Sequence, residues 1–164
     1  MRPMRDRRRA YKHLEALCVA LLFLLIAGIS LSNSGGTDKT VDELAAPVLR
    51  VLDTSGMTRR TPSEAAGVFG FDRSKEEGAV YYSNDNVMDV TELLIVKLCD
   101  RSDAAAFASA IEERVENQKN LYQNYAPEQY SLLENSVIEV SGNTVFYCTA
   151  KNADEVYETF KRAL

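Results

Sequence analysis

The stretch EALCVALLFLLIAGISLS, residues 15–32, constrains this chain more than any other, because apart from Glu15 at its entrance it carries no charge. A bilayer core of roughly 30 Å takes about 20 apolar residues in helical form, and about 17 suffice. Leu14 to Leu31 supplies eighteen positions, enough to span. A core helix of a globular domain would show a polar face, and this run shows none. Arg2, Arg5, Arg7, Arg8, Arg9 and Lys12 precede it, with only Asp6 against them. Basic flanks stay in the cytoplasm, so residues from about 33 onward are expected outside.

A retained anchor is the first reading and a cleaved secretory signal the second, since a charged n-region and an apolar h-region describe both. Ser30-Leu31-Ser32 offers small residues for a cut, but not the A-x-A pattern. Either way the remainder is exported. The expected division is a cytoplasmic basic flank (1–13), a spanning helix or signal anchor (14–32), a Gly/Ser linker (33–39) and an extracytoplasmic domain (40–164).

Charge follows that division. Beyond residue 32, 13 lysines and arginines stand against 22 acids, a net −9. So acidic a unit is a poor partner for nucleic acid, which needs a basic surface. It is also repelled by anionic headgroups, leaving the apolar helix and its flank to contact the membrane. Cys18 falls in the apolar run, and Cys99 and Cys148 are too few for a disulfide framework.

Within 40–164, Thr40-Val-Asp-Glu43 and Thr61-Pro-Ser-Glu64 are capping boxes that open two short helices. Pro47 should kink or reset the first, and Gly67 or Gly70 should stop the second. FDRSKEEG, residues 71–78, reads as a charged turn. AVYYS (79–83) and TELLIVKLC (91–99) read as strands, and the segment around 103–125 as the longest helix, with Phe107, Ile111 and Val115 at spacing four. Pro127 breaks it, and a small helix follows. SVIEV and TVFYCTA flank Gly142-Asn143, a strong hairpin signal. The last helix carries the stripe Ala153, Val156, Phe160 and Leu164.

The fold class is therefore α+β: an antiparallel sheet of about four strands, built as strand-strand-helix twice and preceded by two short helices. A two-residue turn pairs Val140 with Val145 and Ile138 with Tyr147. Leu94, Val96 and Leu98 should face both helical stripes, Phe107/Ile111/Val115 and Val156/Phe160. The opposite face would then carry Leu93, Ile95, Val137, Phe146 and Cys148, too apolar to stay wet. Either the helices around 40–69 cover it, or a partner protein does.

Few residues suggest chemistry. The one histidine, His13, lies in the basic flank, so the exported domain has neither an imidazole base nor a histidine metal ligand. No GxxxxGK[ST] or GxGxxG loop is present, and no cofactor is expected. SNDNVMD, residues 83–89, offers oxygen ligands for calcium but lacks the D-x-[DN]-x-[DN]-G pattern, and a solvated turn is the plainer reading. A glycosidase-like carboxylate pair would require two acids converging in a cleft, one with a raised pKa.

LYQNYAPEQYSLLEN, residues 121–135, holds three of the chain's eight tyrosines in a protein without tryptophan. Tyr122 and Tyr125 continue the stripe of the long helix, and Tyr130 shares a face with Leu133 beyond Pro127. Gln118, in the same stripe, is expected to bond one of the hydroxyls. The rings serve mainly to pack the two helices together, with a ligand cleft as the alternative.

ELLIVKLCD, IEERVENQKNLYQNYAPEQYSLLENSVIEVSGNTVFYC and the closing KNADEVYETFKRAL resemble the bacterial domain-of-unknown-function 4358 family over about residues 40–164. The resemblance implies an exported or membrane-attached protein, mostly of Gram-positive bacteria, and carries over no catalytic residue because no activity is established for the family. Many relatives look like lipoproteins, whereas this chain has a basic anchor instead. The expectation is an anchored, non-enzymatic binding or assembly domain with a protein or cell-envelope partner; the alternative is an envelope hydrolase using paired carboxylates. Candidate partner-binding residues are Tyr122, Tyr125, Tyr130, Phe146, Ile95 and Val137.

Overall fold

Two capping boxes set the first helices. Thr40 Oγ1 accepts the Glu43 N–H at 3.3 Å, and Glu43 Oε2 accepts the Thr40 N–H at 2.7 Å. Thr61 and Glu64 repeat this at 3.2 and 2.7 Å. The computed structural model describes residues 37–164; the basic flank, the apolar run and most of the linker lie outside the described residues. Helix α1 (Val41–Val48) contains Pro47 one residue from its end, so the proline closes the helix rather than kinking it. Helix α2 (Pro62–Phe69) stops at Gly70, whose φ of 73° is the left-handed cap that glycine adopts without strain.

Five strands follow in one antiparallel sheet: β1 (Met57–Arg60), β2 (Glu76–Asn84), β3 (Glu92–Leu98), β4 (Val137–Ser141) and β5 (Thr144–Thr149), in the order β1-β2-β3-β5-β4. Three further helices, α3 (Ala104–Tyr122), α4 (Pro127–Glu134) and α5 (Ala153–Ala163), complete the described fold. This is the α+β class and the double strand-strand-helix order, with one more strand than expected. β2 also begins at Glu76, inside the stretch read as a charged turn.

The hairpin register is as the turn dictates: Val140 lies opposite Val145 and Ile138 opposite Tyr147. Gly142 has φ 61° while Asn143 does not take positive φ. Glycine alone in the left-handed region at the first turn position marks a type II′ turn, whose twist matches the strands.

Both faces of the sheet are covered. Every residue of β3 and β5 is buried. One face sets Leu94, Val96, Leu98, Val145 and Tyr147 against Phe69 of α2, Phe107, Ile111 and Val115 of α3, and Leu133 of α4. The other sets Leu93, Ile95, Phe146 and Cys148 against Leu44 and Val48 of α1 and Val156 and Phe160 of α5. The expectation that α3 and α5 share a face is thus corrected: the Phe160 ring stacks on Phe146 at 4.7 Å, on the far side from α3. A central strand apolar at successive positions needs cover on both sides, and one helical layer cannot supply it. The cover of the second face comes from within the chain, from α1 but not α2, together with α5.

Cys99 and Cys148 are both free, Cys99 exposed and Cys148 buried. Cys148 sits opposite Leu93, and Cys99 follows Leu98 at the far end of the same strand. At about 3.3 Å per residue the two are roughly 20 Å apart, far beyond bonding reach.

Candidate functional site

β3 opens with an acid on its α3-facing side. Glu92 lies between Ser83 of β2 and Thr149 of β5, on the same face as Leu94, and only 8% of its side chain is exposed. Arg114 on α3 meets it with both arms: Nη1 donates to Oε2 at 2.7 Å and Nη2 to Oε1 at 2.8 Å. Such a bidentate fork is the strongest ion-pair geometry available to side chains. Nη1 also donates to Gln118 Oε1 at 3.0 Å, and the guanidinium lies 4.8 Å from the centre of the Phe69 ring. Tyr81 donates its hydroxyl to Glu92 Oε1 at 3.2 Å. Beside them, Thr149 Oγ1 donates to the Tyr147 hydroxyl at 2.8 Å.

Burial, then the nearby Glu92 charge, pushes the Tyr81 and Tyr147 hydroxyls well above the ordinary phenol range. Burial pulls Arg114 down, but the Glu92 charge and hydrogen bond outweigh it and hold the guanidinium firmly charged. The centre is therefore neutral overall and internally satisfied. Gln118 is spent on Arg114, not on a tyrosine hydroxyl as expected.

Arg114 also forms part of the floor of a surface groove of about 520 Å³ between α2 and α3. Val68 and Leu121 form its apolar rims, and Asn117, Gln118 and Glu113 line the polar wall. A Cβ placed on Gly67 would meet nothing within 4 Å, so the groove is open along α2.

The tyrosine corner adjoins this end of α3. Tyr122 is buried and donates its hydroxyl to the Val87 carbonyl at 3.2 Å, tying the β2–β3 loop to the helix. Gln129 of α4 accepts the Val90 N–H at 2.9 Å from the same loop. Tyr130 is half-buried against the first core. Tyr122 and Tyr130 thus pack, as the sequence indicated. Tyr125 departs from the stripe because α3 ends at Tyr122; it sits in the following turn, 54% exposed, its ring 5.4 Å from that of Tyr122.

The remaining partner candidates separate in the same way. Ile95 and Phe146 have no exposed surface, being sealed under α1 and α5, so the helix-free face that made them candidates does not exist. Val137 is half-buried on the edge strand β4. Sequence reasoning missed Val68, Leu121 and the Glu92–Arg114 pair. An acid at the inward parity of an otherwise apolar strand was the available signal for Glu92.

Several carboxylates elsewhere are committed to local structure. Asp89 accepts from the Thr91 N–H and hydroxyl at 2.9 and 2.6 Å and from Asn84 Nδ2 at 3.0 Å, which shapes the 83–89 loop. Among the described residues no three His, Cys, Asp or Glu side chains group as a metal site. Asp53 and Asp89 line one cleft, but the Ser55 N–H and hydroxyl hold Asp53 below the usual carboxylate range, the reverse of what a proton donor needs.

Glu76 is the acid that burial raises, with 2% of its side chain exposed, neither oxygen hydrogen-bonded, and Arg73 no nearer than 3.9 Å. A carboxyl whose folded pKa exceeds its unfolded value contributes stability that is complete below the unfolded pKa, about 4.3, and lost as pH rises through the folded one. Glu76→Met should therefore be more stable than the parent at pH 7 by about 1–3 kcal/mol, with the gap closing on acidification. Urea melts across that pH range measure it, and a variant weaker at pH 7 contradicts it.

No curated protein and no solved structure matches the chain. A family model described as a domain of unknown function (DUF4358) matches residues 50–150, from just before β1 to just after β5. That match takes in more than half of the chain and all five strands, with α1 and α5 outside it, and the chain belongs to the DUF4358 family.

Proposed function

We propose that the chain is a non-catalytic binding domain, carried outside the cytoplasmic membrane on residues 14–31, that holds a partner protein at the groove between α2 and α3. One observation carries the reading. The exposed large apolar side chains among the described residues are Val68, Val87, Met88, Leu121 and Tyr125. All five come from α2, the β2–β3 loop, the end of α3 and the turn after it, segments joined by the shared groove and by the Tyr122–Val87 hydrogen bond. Apolar side chains gathered at one edge, with polar groups behind them, mark an interaction surface.

Groove chemistry defines the partner. Glu92 cancels the Arg114 charge, so the floor does not select an anion. The occupant is a protein segment that seats an apolar side chain between Val68 and Leu121 and bonds its backbone to Asn117 and to Gln118 Nε2, the end of that amide that Arg114 does not use. A photoreactive residue at Leu121, in the full chain in its native membrane, should cross-link one defined protein. Gly67→Phe fills the groove from a position with free space and should remove that product while leaving the melting temperature nearly unchanged. A cross-link indifferent to Gly67→Phe, or none from folded protein, contradicts the proposal.

A further inference from the structure

At the start of α1 and the end of α5 lies a second cleft, of about 370 Å³, whose charge runs against that of the domain. Lys39, Glu43, Pro47, Thr159, Arg162 and Ala163 line it. The Glu43 carboxylate is taken up by the Thr40 N–H and hydroxyl at 2.7 and 2.9 Å. Eight of the cations among the described residues have a carboxylate within salt-bridge reach; Lys39 and Arg162, like Arg50, Arg101 and Lys151, do not, and these two line one cleft. Lys39 Nζ donates to the Ala163 carbonyl, which leaves ammonium donors unused. Arg162 Nη2 donates to Thr159 Oγ1 at 2.9 Å, and that hydroxyl donates to the Glu155 carbonyl at 2.9 Å, so the guanidinium is steadied from one side only.

Position supplies the ligand. Seven residues, 32–38, separate Leu31 from Lys39, and at full extension they reach no more than about 25 Å. Resting on the membrane reading above, we propose that this cleft receives the phosphodiester headgroup of an anionic phospholipid. Phosphate oxygens suit a guanidinium fork and an ammonium converging on one cleft. The contact orients an otherwise acidic domain that the lipid surface would repel. It turns the α1/α5 layer toward the bilayer and leaves the partner groove, on the other side of the sheet, clear of lipid.

The chain has no tryptophan, so Leu164→Trp, beside Ala163, gives a single tryptophan that can be excited apart from the tyrosines. In full-length protein reconstituted into nanodiscs containing headgroup spin-labelled lipid, its quenching should be stronger with phosphatidylglycerol than with phosphatidylcholine alone. Lys39→Gln and Arg162→Gln should each lower the ratio of docked to undocked protein about fivefold. Equal quenching in both lipids, in protein that resists carbonate extraction, overturns the headgroup site alone. Protein that fails to insert overturns the anchor reading and this inference with it. Quenching abolished by millimolar inorganic phosphate shows a site for the free anion and overturns the lipid assignment.

Discussion

Arg114→Met should destabilise the domain by about 3–5 kcal/mol, because it leaves Glu92 charged, buried and without its bidentate partner. The loss is not that of a surface ion pair, worth about 0–1 kcal/mol. Glu92 is 8% exposed, and its remaining donor is one tyrosine hydroxyl at 3.2 Å. The double variant Glu92→Leu/Arg114→Met should regain most of the stability, since well-packed apolar side chains replace a buried pair at little cost. Equilibrium urea unfolding of the parent, of Glu92→Leu and Arg114→Met singly and of the double variant forms a double-mutant cycle. A single Arg114→Met change of under about 1 kcal/mol would mean that water reaches the pair and that it is a surface bridge.

Phe146→Asp should yield protein that does not fold. The ring has no exposed surface, stacks on Phe160 at 4.7 Å and meets the Tyr157 ring at a tilt, 5.4 Å away. A carboxylate there has no partner, and its burial adds several kcal/mol to the lost packing. Against a typical total of about 5–15 kcal/mol, the sum is disabling. Phe146→Ala is the measurable companion, expected to cost about 3–5 kcal/mol. If Phe146→Asp instead folds with a native melting temperature and loses a partner, the second face is open and α1 and α5 do not seal it. Leu121→Asp, on the exposed rim, should leave stability within about 0.5 kcal/mol, which separates core from contact surface in one experiment.

Local chemistry was readable wherever a few neighbouring residues decide the conformation. Thr40–Glu43, Thr61–Glu64 and Gly142-Asn143 define two helix starts and a hairpin register that the fold keeps residue for residue. β1 was not readable, since Met57-Thr-Arg-Arg has no apolar alternation and becomes a strand by pairing with β2. Nor does strand parity say on which face a helix returns. Leu93-Leu-Ile-Val96 showed that both faces need cover, and the helices around 40–69 were expected to supply it; α1 does, but its companion is α5, which strand parity had set beside α3, while α2 packs on the other face. The Glu92–Arg114 pair joins residues 22 apart, one on a strand and one on a helix, so only the docked fold brings them together. For the proposed contact surface, spacing drew attention to tyrosines that mostly pack, whereas Leu121 is exposed simply because it lies one residue off the buried stripe.

Location underlies the binding proposal and the headgroup site alike, and the cysteines report on it. Cys99 is exposed; Cys148 is fully buried, its thiol pushed up to about 12 by burial and so unreactive until the domain unfolds. A membrane-impermeant maleimide applied to intact, wall-stripped cells should label Cys99 rapidly, with no further gain on permeabilisation. Labelling of Cys99 that begins only once the membrane is opened would place the domain inside the cell and contradict the account.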